Sequence, residues 1–137
     1  MAICCPPAYG GMRNPLAPML NLDTHILIHA LNGQLTVKER EALANDQWGI
    51  SAIVIWELSK LAQLGRIDLD IDSADFARAL SSIHIWPLDL AVCRQIHLLD
   101  FSSDPADEII AATSVVHRVA LVTRDRRIRR SKVVPLA

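Results

Sequence analysis

Residues 104–128 read DPADEIIAATSVVHRVALVTRDRRI, and the architecture is decided here. Asp104 stands at a helix N-cap, Pro105 at the first helical position and Asp107 at the third, an order that opens helices. The helix runs through SVVH, and VALVT follows as an apolar, β-branched strand. A strand apolar on both faces belongs in a parallel sheet covered on both sides. Asp125 comes just after it, beyond the strand's carboxyl end, where open α/β sheets bind their ligands.

Toward the N-terminus the alternation repeats. MLNLD reads as a short strand ending at Asp23, and THILIHAL as a helix with Thr24 available near its start. VKEREALAND is helical in composition and leads to a strand WGIS. Ser51 then caps AIVIWELSKLAQL, which stops at Gly65. Ser73 opens the helix ADFARALSS, IHIWPL reads as a strand, LAVCRQIHLL as a helix, and KVVPL as a last strand. The expected fold class is α/β, a three-layer α/β/α sandwich around a mainly parallel central sheet.

The chain has 137 residues, 51% hydrophobic and 21% charged, which fits one globular domain. Residues 1–18 hold four of the seven prolines and read as an irregular leader, with residues 19–137 as the domain. Met12 and Met19 are both candidate translation starts. The apolar runs are too short to cross a membrane, and nothing resembles a secretory signal. Cys4, Cys5 and Cys93 make no disulfide framework, so the expected location is the cytoplasm. The net charge of -1 conceals an asymmetry: half of the 14 Lys and Arg follow His117, with Asp125 the only acid among them. A basic end beside an acidic body suits a phosphate backbone near carboxylate-bound metal, or an acidic partner protein.

Five acids stand out, at four sites of the chain. Asp23 and Asp125 lie at equivalent ends of two strands, though a turn acid and a neutraliser of nearby arginines are ordinary alternatives. Glu57 shares a helix face with Ile53, Val54, Leu58 and Leu61, a costly place unless the carboxylate is paired, hydrogen-bonded or metal-bound. Lys60 is one available partner. Asp104 and Asp107 also suit a helix N-terminus whatever the protein does, Asp104 by capping N–H groups and Asp107 by reaching toward the strand ends. Convergence explains all four sites together: clustered carboxylates repel unless cations lie between them, and oxygen donors suit Mg²⁺ or Mn²⁺. His25 and His29 share a helix face but lack a third soft ligand. Trp48, Trp56 and Trp86 are expected in the core or an interface.

At these residues the chain resembles the PIN domain family, in particular the VapC-type toxins of bacterial toxin–antitoxin pairs. The matching pieces are LNLDTHILIHAL (20–31), SAIVIWELSKL (51–61), DPADEIIAATS (104–114) and LVTRDRRI (121–128). The resemblance implies a PIN-like sandwich with endoribonuclease activity needing one or two Mg²⁺ or Mn²⁺ ions. Its acidic quartet falls on Asp23, Glu57, Asp107 and Asp125, with Asp104 as a further metal-ligand candidate and Thr123 as a supporting hydroxyl. It also implies a homodimer and a VapB-like antitoxin. Two departures are Glu108, where many such toxins carry Arg, and the leader before Met19.

The expected reaction is hydrolysis of an RNA phosphodiester by water, leaving a 5′-phosphate and a 3′-hydroxyl. Arg124, Arg126, Arg127, Arg129, Arg130 and Lys132 are candidate RNA-backbone contacts. A nuclease of this fold acting on DNA or structured nucleic acid, and a catalytically silent RNA- or protein-binding module, are the alternatives. Nucleotide cofactors are disfavoured because neither GxxxxGK[ST] nor GxGxxG occurs.

Overall fold

A computed structural model describes residues 18–137. The expected leader, apart from Pro18, and the Met12 start lie outside the described residues. The elements are β1 (Met19–Leu22), α1 (Thr24–Leu31), α2 (Val37–Leu43), β2 (Gln47–Ser51), α3 (Ala52–Gln63), α4 (Ala74–Ser81), β3 (His84–Trp86), α5 (Leu90–Ile96), α6 (Pro105–His117), β4 (Ala120–Val122) and α7 (Arg126–Arg129). The four strands form one sheet in the order β3-β2-β1-β4, and every pairing is parallel. All four carboxyl ends therefore open on the same edge.

Helices cover both faces in a three-layer α/β/α arrangement, and alternation along the strands shows how. Asn21 pairs with Gly49 in the sheet, and its amide reaches α6 by donating to the Ile110 carbonyl and the Ser114 hydroxyl. The neighbouring pair, Leu20 and Trp48, points the other way, where the Trp48 indole donates to the Leu43 carbonyl of α2. Leu22, Ile26, Ile50, Leu58, Ile110 and Leu121 are fully buried in the core. Each contributes about 1.5–3 kcal/mol by leaving water.

Local signals set most boundaries. Ser51 and Ser73 cap α3 and α4 as expected, and Gly65 ends α3 at φ +70°, a left-handed value that glycine adopts freely. Asp23, rather than Thr24, caps α1. Pro87 ends β3 after three residues because it has no N–H for the ladder. KVVPL forms only a single parallel bridge, Leu121 to Leu136, its pairing interrupted at Pro135. Trp48 and Trp86 are core residues as expected, whereas Trp56 is 55% exposed on α3.

Gly49 is required by close approach. A Cβ there would sit 2.5 Å from two atoms of the Trp86 ring, which is buried and stacked on His117 with centroids 5.5 Å apart. The ring has little room to yield. Gly49→Ala should cost about 1–3 kcal/mol in urea-induced unfolding, and adding Trp86→Leu should recover part of the loss. A Gly49→Ala protein as stable as the wild type would show that this packing is not tight.

Candidate active site

The parallel sheet carries Asp23, Ser51 and Thr123 to one edge. Asp23 follows β1 and is 4% exposed. Its Oδ1 accepts from the Thr24 N–H at 2.7 Å, and its Oδ2 accepts from the Thr123 hydroxyl at 2.6 Å. Thr123 also accepts from the Asp125 N–H at 3.1 Å, so the β1 and β4 ends are joined through one hydroxyl. Asp125 caps α7, its Oδ1 accepting from the N–H groups of Arg127 and Ile128.

Ser51 starts α3 and thereby sets Glu57, half-buried, a turn and a half along. Glu57 Oε1 accepts from the Thr24 hydroxyl at 2.5 Å. Lys60, its alternative partner, donates instead to Gln63. Asp107 lies in the first turn of α6 and accepts from Ser103 at 3.0 Å. Asp104 holds the N-cap position, yet its side chain makes no cap hydrogen bond. The expectation that Asp104 spends its oxygens on helix N–H groups is thus corrected: its side chain is exposed to solvent and accepts from none of them.

The carboxylates sense one another. Burial holds the Glu57 carboxyl above its ordinary range; the Thr24 hydroxyl opposes the shift, while the charges of Asp107 and Asp23 add to it. Burial likewise raises Asp107, opposed by Ser103 and reinforced by Asp23, Asp125 and Asp104. Five acids, three at element ends and two on helices, thus share one electrostatic neighbourhood. Among the described residues, no three Asp, Glu, His or Cys side chains converge closely enough to enclose a metal ion alone. The donor chemistry, all oxygen and anionic, fits a hard divalent cation.

Asp104, Asp107 and Asp125 also line a cavity of about 670 Å³ shared with Phe101, Arg126, Arg127 and Arg130. The candidate cations differ in their engagements. Arg124 is held bidentately by Glu39 at 2.7 and 2.8 Å, which drives the Glu39 carboxyl down to about 2. Arg127 donates to the Ser102 carbonyl and Arg129 to the Thr123 carbonyl. Among the described residues, the side chains of Arg126, Arg130 and Lys132 have no such partner. Sequence reasoning missed Thr24, Ser103 and Glu39. For Glu39 a signal existed, the Thr36–Glu39 spacing of a capping box, which the structure forms.

Residues 21–133 match the PIN domain. Ribonuclease VapC22 of Mycobacterium tuberculosis is 32% identical over 115 residues, covering 79% of this chain and 88% of that protein. The chain belongs to the PIN domain family. Within it, the likeness is to the VapC type. Solved structures share the fold: VapBC2 from Rickettsia felis bound to a promoter DNA fragment (TM-score 0.62, 20% identity, 87% of this chain and 97% of that one), and a toxin–antitoxin complex from Klebsiella pneumoniae (TM-score 0.63, 24% identity, 81% and 90%). Among the described residues, no helix is long and apolar enough to cross a membrane.

The raised carboxyls have a consequence for stability. A carboxyl whose folded pKa exceeds its unfolded one favours folding most below the unfolded value and loses that advantage as pH rises through the folded value. At neutral pH the ionised Asp107 therefore opposes folding. Asp107→Asn should raise the melting temperature in EDTA at pH 7, with the gain shrinking as pH falls toward 4. An equal gain at both pH values would place the effect outside ionisation.

Proposed function

We propose that this chain is a Mg²⁺- or Mn²⁺-dependent endoribonuclease, acting as the toxin of a toxin–antitoxin pair. The observation that carries the proposal is the assembly of Asp23, Glu57, Asp107 and Asp125 at the carboxyl edge of the sheet, where two buried threonine hydroxyls brace Asp23 and Glu57. Acids kept together at an electrostatic cost, and partly withdrawn from water, are what a cation-binding site needs. These four side chains would hold the ion, directly or through water, with Asp104 at the rim and water and phosphate oxygens completing its shell. One or two ions suit this donor set. Such an ion would supply Lewis acidity, making an attacking water more acidic and stabilising negative charge on the phosphoryl group.

The chain's own residues do the remaining work. Asp23 and Thr123 fix the strand-end geometry, and Asp107 and Asp125 face the cavity where an RNA strand would enter. Arg126, Arg127 and Arg130 on the same cavity would hold backbone phosphates, with Arg129 and Lys132 nearby. Water adds across the P–O3′ bond, leaving a 5′-phosphate on one product and a 3′-hydroxyl on the other. The same basic lining suits an acidic segment of a VapB-like antitoxin, and the exposed Trp56 supplies apolar surface for a homodimer. A cytoplasmic site of action fits an RNA target.

Purified, antitoxin-free protein should cut a mixed small-RNA pool at discrete positions in Mg²⁺ or Mn²⁺. EDTA should abolish cleavage, and Asp23→Asn should reduce it by about 100-fold or more, the scale of several kcal/mol of transition-state stabilisation. Cutting of DNA but not RNA would overturn the substrate assignment. Folded protein that binds RNA yet never cuts would favour a silent binding module.

The cations should separate in the salt dependence of RNA affinity. Arg126→Ala and Arg130→Ala should each weaken binding and reduce the log–log salt slope by about one. Arg124→Ala should leave the slope nearly unchanged, because its charge is already matched by Glu39. A full unit lost with Arg124→Ala would make it a phosphate contact after all.

A further inference from the structure

We propose that Thr24 is a positioning residue of this centre, its hydroxyl turning Glu57 so that Oε2 rather than Oε1 is presented to a divalent cation. The proposal rests on the metal-site reading above. Thr24 is 1% exposed, so its hydroxyl has no access to bulk water. Its single proton goes to Glu57 Oε1 at 2.5 Å, across 33 residues of sequence, while its backbone N–H goes to Asp23 Oδ1 at 2.7 Å. One residue thus grips two acids at once.

The grip continues a longer chain of donors. The Asp125 N–H donates to Thr123 Oγ1, the Thr123 hydroxyl to Asp23 Oδ2, the Thr24 N–H to Asp23 Oδ1, and the Thr24 hydroxyl to Glu57 Oε1. Three of the four acids are therefore fixed relative to one another by two threonines. Within that chain Thr24 alone fixes Glu57, which reaches the edge from a separate helix on a side chain with three rotatable bonds. A hydroxyl proton on Oε1 occupies one of its lone pairs, leaving Oε2 as the unencumbered donor. Orienting groups of this kind behind a ligating carboxylate are worth about 10- to 100-fold in metal affinity.

The test is calorimetric titration of MnCl₂ into the full chain, in parallel with thermal unfolding in EDTA. Thr24→Val keeps the branched shape and removes the donor; it should weaken Mn²⁺ binding about tenfold or more. Thr24→Ser, which restores a hydroxyl, should bind within about threefold of the wild type, on the same scale. A valine variant with a lower melting temperature but unchanged Mn²⁺ affinity would overturn the positioning role and leave Thr24 a structural residue. Wild-type protein that binds no Mn²⁺ would sink the metal-site reading and this role with it, so the two failures are distinguishable. Should the valine variant not fold, the wild type still decides. Its Thr24 hydroxyl proton, followed by NMR, should stay protected from exchange when MgCl₂ is added, and loss of protection would overturn the proposal.

Discussion

The amide of Asn21 ties the longest described helix to the centre of the sheet. Fully buried, it donates one proton to the Ile110 carbonyl and the other to the Ser114 hydroxyl. Asn21 lies two residues before Asp23, and Ile110 three residues after Asp107. The distance between the first and third acids is therefore set by a contact that carries no charge itself. Its Oδ1 is buried without a partner among the described residues, a cost of about 1–3 kcal/mol. A leucine would fill such a position more cheaply but would leave α6 free to slide along its apolar face. The amide specifies a register that hydrophobic burial alone does not.

That register matters because the carboxylate edge works against folding. Burial and mutual repulsion raise both Glu57 and Asp107, so the rest of the molecule must hold the acids where they would not choose to be. Hydroxyls do this better than cations would. Thr24, Ser103 and Thr123 orient carboxylates without neutralising them, and so preserve the negative field of the cluster. An arginine in any of these places would relieve the repulsion and occupy the oxygens as well.

Much of this was legible from residue patterns. The strand–acid endings at Asp23 and Asp125, the Ser51 and Ser73 caps and the Asp104–Pro105 helix start all depend on neighbours within four positions. The fold followed from them, while the four acids stood out only as candidates that the family resemblance grouped. What stayed hidden depends on partners far apart in sequence. Nothing near Thr24 announces a hydroxyl aimed at Glu57, and nothing near Arg124 announces Glu39, 85 residues away. The Glu57 environment was half readable: its apolar face was plain, whereas the choice of Thr24 over Lys60 required the packing of α3 beside α1. KVVPL misled because β-branched composition outweighs a single proline in a propensity reading, while one missing N–H shortens a ladder.

The basic C-terminal region shows the same limit, and its resolution sharpens the chemistry. Seven cations in the last 20 residues look like one binding surface when counted by charge. Distance divides them. Arg124 is bound to Glu39, itself part of the α2 capping box, and so braces the β4–α7 turn against the start of α2. Arg129 returns to the Thr123 carbonyl, behind the hydroxyl that holds Asp23. These two arginines brace the acidic edge from behind. Arg126, the first residue of α7, and Arg130, its C-cap, line the cavity with the acids. The β4–α7 segment thus separates cations that brace the acidic edge from cations that line the open cavity. The cap of α7 is Asp125, so the fourth acid also aims the arginines that share its cavity.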